Sequence, residues 1–201
     1  MSTDSIVLRQ VTRDNASEYL PQVVDLIKQL AQFEREPLSS VKATVPLLYE
    51  SFFGEPAPAR LGSSREVGGA TGQVGHDDGD DDARKRGGYA ECVLAFENDD
   101  SQEAIAMAVY FFTFSTWTGR GGLYLEDLFV KEEHRGKGVA KVLFKHLAGI
   151  CKKKGLPRFD WQVLEWNEQA KGAYFKLGAD LRKEWQSMRL EGAALDKLAQ
   201  S

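Results

Sequence analysis

Residues 123–140, LYLEDLFVKEEHRGKGVA, restrict the fold more than any other stretch of this chain. Leu123–Val130 is an apolar run of strand length, followed by a short polar connection and then by glycines at 136 and 138. A helix follows from about Gly138 to Lys154, with Val139, Val142, Leu143, Leu147 and Ile150 on one face and Gly155 and Pro157 ending it. The next apolar run, Phe159–Leu164, reads as another strand, so the segment is a strand-helix-strand unit. Gly136 and Gly138 stand where backbone can approach a ligand closely. The N–H groups that open the helix, together with its dipole, suit a phosphate or pyrophosphate, and Arg135 and Lys137 add positive charge. An ordinary tight turn is the plainer reading of the same glycines.

Upstream, Ser5–Val11 alternates as a first strand. A helix is expected from about Asn15 to Phe33, with Leu20, Val23, Val24, Ile27 and Leu30 at helical spacing, Asp14 or Asn15 as cap and Pro21 in an early turn. A second helix is expected over about Val41–Phe53, stopped by Gly54. Strands are expected at Tyr89–Phe96 and Ala104–Thr113, with a turn at Gly119–Gly122. Downstream come a short helix at Gln169–Leu177, closed by Gly178, and a final strand near Gln186–Leu190.

Composition matters mainly for residues 59–88, which hold eight of the chain's 19 glycines and an acidic block from Asp77 to Asp82. This segment has too little apolar surface to offset its ordering entropy and reads as a solvated loop insertion in a single domain spanning 1–201. An electrostatic docking segment is the alternative. A net charge of −4 argues against a general nucleic-acid partner. The two cysteines and three scattered histidines make no metal site, so no metal is expected. No apolar run reaches the roughly 20 residues of a membrane span, and no signal peptide is visible, which leaves a cytoplasmic protein with no membrane partner as the expectation.

Two further segments carry candidate chemistry. Glu126 and Asp127 stand side by side in the strand. Strict alternation sends them to opposite faces, so they are not expected to form a dyad, and one of them faces a cleft. A carboxylate beside apolar groups gains proton affinity and can serve as a base near neutral pH, whereas a structural acid bonded to backbone is the bland reading. In Val163–Gly178, Asn167 can cap a helix on which Tyr174 lies about two turns later; Tyr174 is either a core residue or an acid catalyst.

These segments resemble a known family. RGKGVA fits the Arg/Gln-x-x-Gly-x-Gly/Ala pyrophosphate loop of the GCN5-related N-acetyltransferases. LYLEDLFV, HRGKG, EWNEQA and AYFKLGA resemble the diamine (spermidine/spermine) acetyltransferase family within it. FSTWTGR (Phe114–Arg120) and LAQFE (Leu30–Glu34) are most similar to its thialysine N-epsilon-acetyltransferase branch. The resemblance implies an α/β fold, a central mixed and splayed sheet flanked by helices, with acetyl-CoA as co-substrate in the gap. It implies that the backbone of Leu128, Phe129 and Val130 meets the pantetheine arm and polarises the thioester carbonyl. Arg135, Gly136, Lys137, Gly138, Val139, Ala140 and Lys141 would hold the pyrophosphate, and Asn167, Glu168, Gln169 and Ala170 would line the other side. Tyr174 matches the family's proton donor to the CoA thiolate. Glu126 matches the acid that draws a proton from the incoming ammonium, through water. Phe33, Glu34, Ser115, Trp117, Asp160, Trp161 and Gln162 match positions that contact the amine.

Two departures refine this. Ala140 replaces the last loop glycine, which the superfamily pattern allows. Ser115 stands where polyamine-specific members carry an acid. The expected activity is therefore acetyl transfer to the primary amine of a small lysine-like acceptor by direct attack in a ternary complex, without an acetyl-enzyme. Diamine or polyamine acetylation is the alternative, and a non-catalytic binding module on the same fold is a third reading. A homodimer with a small-molecule amine as partner is also implied by the resemblance.

Overall fold

The computed structural model describes residues 5–58, 61 and 88–201, so the expected solvated loop at 59–88 lies almost wholly outside the described residues. The chain divides into two compact units, Met1–Gln162 and Val163–Ser201.

The first unit is built on a five-stranded sheet: β1 (Val7–Gln10), β2 (Glu91–Phe96), β3 (Ala106–Ser115), β4 (Arg120–Val130) and β5 (Phe159–Trp161), side by side in that order. The first four strands are antiparallel neighbours, and β5 pairs parallel to β4. A parallel pair needs a crossover, and α3 (Val139–Lys154) supplies it. This is the mixed α/β sheet that the resemblance implies.

One sheet face packs against α1 (Ala16–Phe33) and α2 (Val45–Phe53). Cys92, Leu94, Phe96, Met107, Val109 and Phe129 from the strands meet Leu20, Val23, Leu26 and Leu30 of α1 and Tyr49, Phe52 and Phe53 of α2. The alternate strand positions, including Leu123 and Leu125, face α3, whose Val139, Leu143 and Leu147 are fully or almost fully buried.

Pro21 lies in the second turn of α1, as expected of an early turn, and the apolar stripe on either side of it holds the helix. Several element bounds differ from the sequence expectation for identifiable reasons. α2 begins at Val45, not Val41. Thr44 accepts a hydrogen bond from the Leu47 N–H and Pro46 follows in the first turn, while Leu38–Ser40 forms a separate 3-10 turn. Gly88 is held against α2: its N–H donates to the Phe52 carbonyl at 3.1 Å, and a Cβ there would sit 2.2 Å from the Phe52 carbonyl carbon.

The second unit holds α4 (Glu168–Lys176), capped by Asn167, whose Oδ1 accepts from the Ala170 N–H at 3.1 Å, and α5 (Gly192–Ala199). The strand expected near Gln186–Leu190 is not formed; those residues have no regular structure. The run includes Ser187, Met188 and Arg189, all exposed, and no neighbouring strand pairs with it.

Candidate active site

The chemistry is organised by an irregularity in β4. Opposite Val109 stands Asp127 and opposite Tyr110 stands Leu125, so Glu126 is an extra residue, a β-bulge. Leu125 shares the α3 face with its partner Tyr110, and Glu126, next to it, turns to the other face. Asp127 shares the face of its own partner Val109, which is the α1 face. The two acids therefore share a face, contrary to the expectation from strict alternation.

Asp127 looks into a cleft of about 280 Å³ formed with Ile27, Leu30 and Glu34 of α1's end and the 36–43 segment. Its carboxyl is pushed up from 3.8 to about 6, first by burial, then by the charges of Glu126 and Glu34. Glu34 is also raised above its ordinary value, by burial and by Glu36. Glu126 itself is exposed. Sequence reasoning singled out Glu126 and did not place Asp127 in the site. The available signal was a phase change: the α3-face residues step from Leu123 and Leu125 to Leu128 and Val130, a gap of three, and Phe129 masks it.

Beside the cleft the sheet opens. β5 pairs only with Leu123, Tyr124 and Leu125, so no strand among the described residues covers that edge of β4 from Glu126 to Val130. The Lys131 N–H donates to Ile105, and ladder alternation then turns the N–H and C=O groups of Leu128 and Val130 toward the open edge. The Val130 carbonyl is met there by Arg135, whose Nε donates to it at 3.0 Å. The Arg135 guanidinium also lies 4.5 Å from the Phe33 ring centroid and 5.5 Å from that of Phe129. Arg135 thus ties the glycine loop to α1's end, one residue before Glu34.

Gly136 and Gly138 have φ of 72° and 84°, a region open to glycine and strained for other residues. Gly138 caps α3 without a side-chain bond, and the first helical bond runs from the Val142 N–H to the Gly138 carbonyl. The N–H groups of Val139, Ala140 and Lys141 have no helical acceptor, and a Cβ at Gly136 would meet nothing within 4 Å. The loop therefore fits a diphosphate, with Lys137 and Lys141 exposed beside it.

The other expected amine contacts are dispersed. Ser115 is buried and its hydroxyl accepts from the Thr118 N–H at 3.4 Å, closing the β3–β4 turn. Trp117 stands at the tip of that hairpin, 91% exposed. Asp160 pairs with Arg158 at 3.0 Å, opposite Tyr124, whose phenol is raised by burial, Glu126 and Asp160. Trp161 packs on Phe144 of α3, ring centroids 5.1 Å apart, on the opposite face from Asp127, and Gln162 is exposed. In the second unit, Glu168, Gln169 and Ala170 form the first turn of α4, and Tyr174 lies further along it, its phenol raised by burial. Cys92 and Cys151 are buried free thiols raised by burial. Among the described residues no group of three His, Cys, Asp or Glu side chains could hold a metal, and no helix is long and apolar enough to cross a membrane.

The chain is 43% identical over 98 residues to a thialysine N-epsilon-acetyltransferase of Sus scrofa, covering 47% of this chain and 57% of that one. It is 38% identical over 113 residues to the Mus musculus protein of the same name, covering 55% and 66%. An L-ornithine N5-acetyltransferase of Arabidopsis thaliana is 29% identical over 189 residues, covering 89% of this chain and 83% of its own. The matched region spans roughly three-fifths of the length of the thialysine relatives. Among solved structures, an integron cassette protein of V. cholerae superposes with a TM-score of 0.65 at 23% identity over 98% of this chain and 99% of its own, and shows the fold. The model of the acetyltransferase (GNAT) family matches residues 66–179, more than half the sequence, and the chain belongs to that family.

Proposed function

We propose that this chain transfers the acetyl group of acetyl-CoA to the primary amine of a small lysine-like acceptor, by direct attack within a ternary complex. The observation that carries this reading is Asp127, turned by the bulge into an acidic cleft beside the open edge of β4. Acetyl-CoA brings the activated acyl group as a thioester. The chain's own residues do the rest.

Asp127 and Glu34 attract the cationic acceptor. Asp127, ionised above about pH 6, together with Glu126 draws a proton from the ammonium through water, because an alkyl amine of pKa about 10.4 is not nucleophilic while protonated. The edge N–H groups of Leu128 and Val130 donate toward the thioester carbonyl as negative charge develops there. The turn at Gly136–Lys141 anchors the diphosphate. By family resemblance Tyr174 gives its proton to the thiolate as the C–S bond breaks; burial raises its phenol above the ordinary value. Asn167, Glu168, Gln169 and Ala170 are assigned to the cofactor's far side by family resemblance.

The proposal includes a homodimer. Ser115 and Trp117 belong to the hairpin tip, seven residues along β4 from Asp127, or roughly 23 Å at strand spacing. Their assignment to the amine therefore asks for a partner subunit's hairpin. A single domain acting in the cytoplasm, with residues 59–88 as an inserted loop, is part of the same reading. CoA release measured against thialysine, lysine, ornithine, spermidine and spermine tests it. A lysine-like amine should give the highest kcat/KM; a strong spermidine preference would overturn the acceptor assignment, and no release with any amine would overturn the activity.

A further inference from the structure

The acidic cleft carries a cation at its rim, and its position says what kind of amine fits. We infer that Lys42 receives the α-carboxylate of the acceptor, so that the cleft selects amino acids bearing a side-chain amine over diamines of equal length. This deepens the acetyltransferase reading above and rests on it.

The cleft is mostly acidic and carries one lysine among its lining residues. Asp127 and Glu34 face each other closely enough for the charge of Glu34 to raise Asp127, and this end suits the reacting ammonium. The rim comes from the segment between α1 and α2, and Lys42 is the cation among the lining residues. The Lys42 Nζ donates to the Ser39 carbonyl at 2.6 Å, which leaves two of its three donors for a ligand. The segment is firmly held. Ser40 donates through its N–H to Pro37 at 2.9 Å, the Val41 N–H donates to Leu38 at 3.2 Å, and Thr44 caps α2 two residues beyond Lys42. Lys42 is therefore presented by ordered backbone, although its side chain is solvent-accessible.

A zwitterionic acceptor offers a group of opposite charge to each of these residues. Its terminal ammonium meets Asp127 and Glu34, its α-carboxylate meets Lys42, and its α-ammonium has Glu36 on the same rim. A diamine of the same length can also meet Glu36 with its second ammonium, but it offers no carboxylate to Lys42 and brings like charge beside it. The contact is solvent-exposed, so the expected effect is a factor of about two to five.

The test uses the full chain and three matched pairs: thialysine and its decarboxylated diamine, lysine and cadaverine, ornithine and putrescine. Turnover is followed by CoA release, and amine binding by calorimetry in parallel. Lys42→Met should lower kcat/KM for the amino acids about two- to fivefold, almost entirely through KM, and leave the diamines unchanged or improved. Lys42→Glu should turn the preference toward diamines, and Lys42→Arg should restore the amino acids. Equal loss for both members of each pair, or an unchanged ratio in Lys42→Glu, would overturn the assignment while leaving the acetyltransferase reading intact. Lys42-dependent binding of the amino acids without any CoA release would overturn that reading and support the carboxylate site. Neither binding nor release by the wild-type chain would overturn both.

Discussion

Glu126 and Asp127 are adjacent in sequence and yet lie on the same face of β4, because Glu126 is the unpaired residue of a bulge between Tyr110 and Val109 on the neighbouring strand. Burial raises the Asp127 carboxyl to about 6, and the charges of Glu126 and Glu34 add to that rise.

Acetyl transfer should therefore rise with pH through about 6 in kcat/KM and lose that limb in Asp127→Asn. Glu126→Gln should move the apparent pKa of the limb downward, since it removes one of the charges that raise Asp127. A pH–rate profile of the three proteins decides the matter, and an unchanged limb in Asp127→Asn would assign it to another group.

The same group makes a statement about stability. Its folded pKa is raised, so between about pH 4 and pH 6 the folded state binds more protons than the unfolded one, and stability falls as pH rises through that window. At pH 7 the ionised Asp127 destabilises the fold, by roughly 3 kcal/mol at most for a shift of about two units. Asp127→Asn should accordingly melt above the wild type at pH 7, with the gap closing toward pH 4. Thermal unfolding at both pH values reads this directly.

Tyr174→Phe should lower kcat by roughly 10²-fold, the usual scale of a lost general acid, while acetyl-CoA binds as before. Turnover together with calorimetric titration of acetyl-CoA separates the two effects. Unchanged turnover would remove Tyr174 from the proton-donor role.

Gly138→Ala places a side chain at φ 84° and should destabilise the fold by roughly 1–2 kcal/mol. The larger effect should be on acetyl-CoA, because the turn that presents the first N–H groups of α3 is distorted. An increase in the KM for acetyl-CoA exceeding any change in the KM for the amine is the expected split.

Leu143→Ala, at a fully buried position of α3 against the sheet, should destabilise by roughly 2–5 kcal/mol. Denaturant unfolding measures it, and a smaller loss would mean that α3 settles into the space.

Local sequence signals were reliable where one physical cause dominates. The stripe on α3 and its glycine ends fix that helix to within a residue, and the apolar runs locate β2, β3 and β4. The signals were weak where pairing decides. Nothing in the order Leu125-Glu126-Asp127 announces a bulge, because the bulge exists only relative to Val109 and Tyr110 on another strand. Gln186–Leu190 alternates only through Met188 and Leu190, carries no β-branched or aromatic residue and has no neighbour to make it a strand, while α5 begins at a glycine with no side-chain cap. The 3-10 turn before α2 is tied by the Ser40 hydroxyl, which donates to the Pro37 carbonyl, and the late start of α2 is set by the Thr44 hydroxyl, which accepts from the Leu47 N–H. In the cleft, Glu34 was legible through its resemblance, and Lys42 only through the cleft's shape.

The interruption of pairing after Leu125 also bears on the chain's safety from self-association. Bare strand backbone is a template on which other extended chains can grow, and proteins that leave long flat edges exposed risk fibrous aggregation. Here the bare stretch is Glu126 to Val130, bent by a bulge and headed by two carboxylates, with its last carbonyl taken by Arg135. A stretch this short, bent and charged is a poor template for a growing sheet.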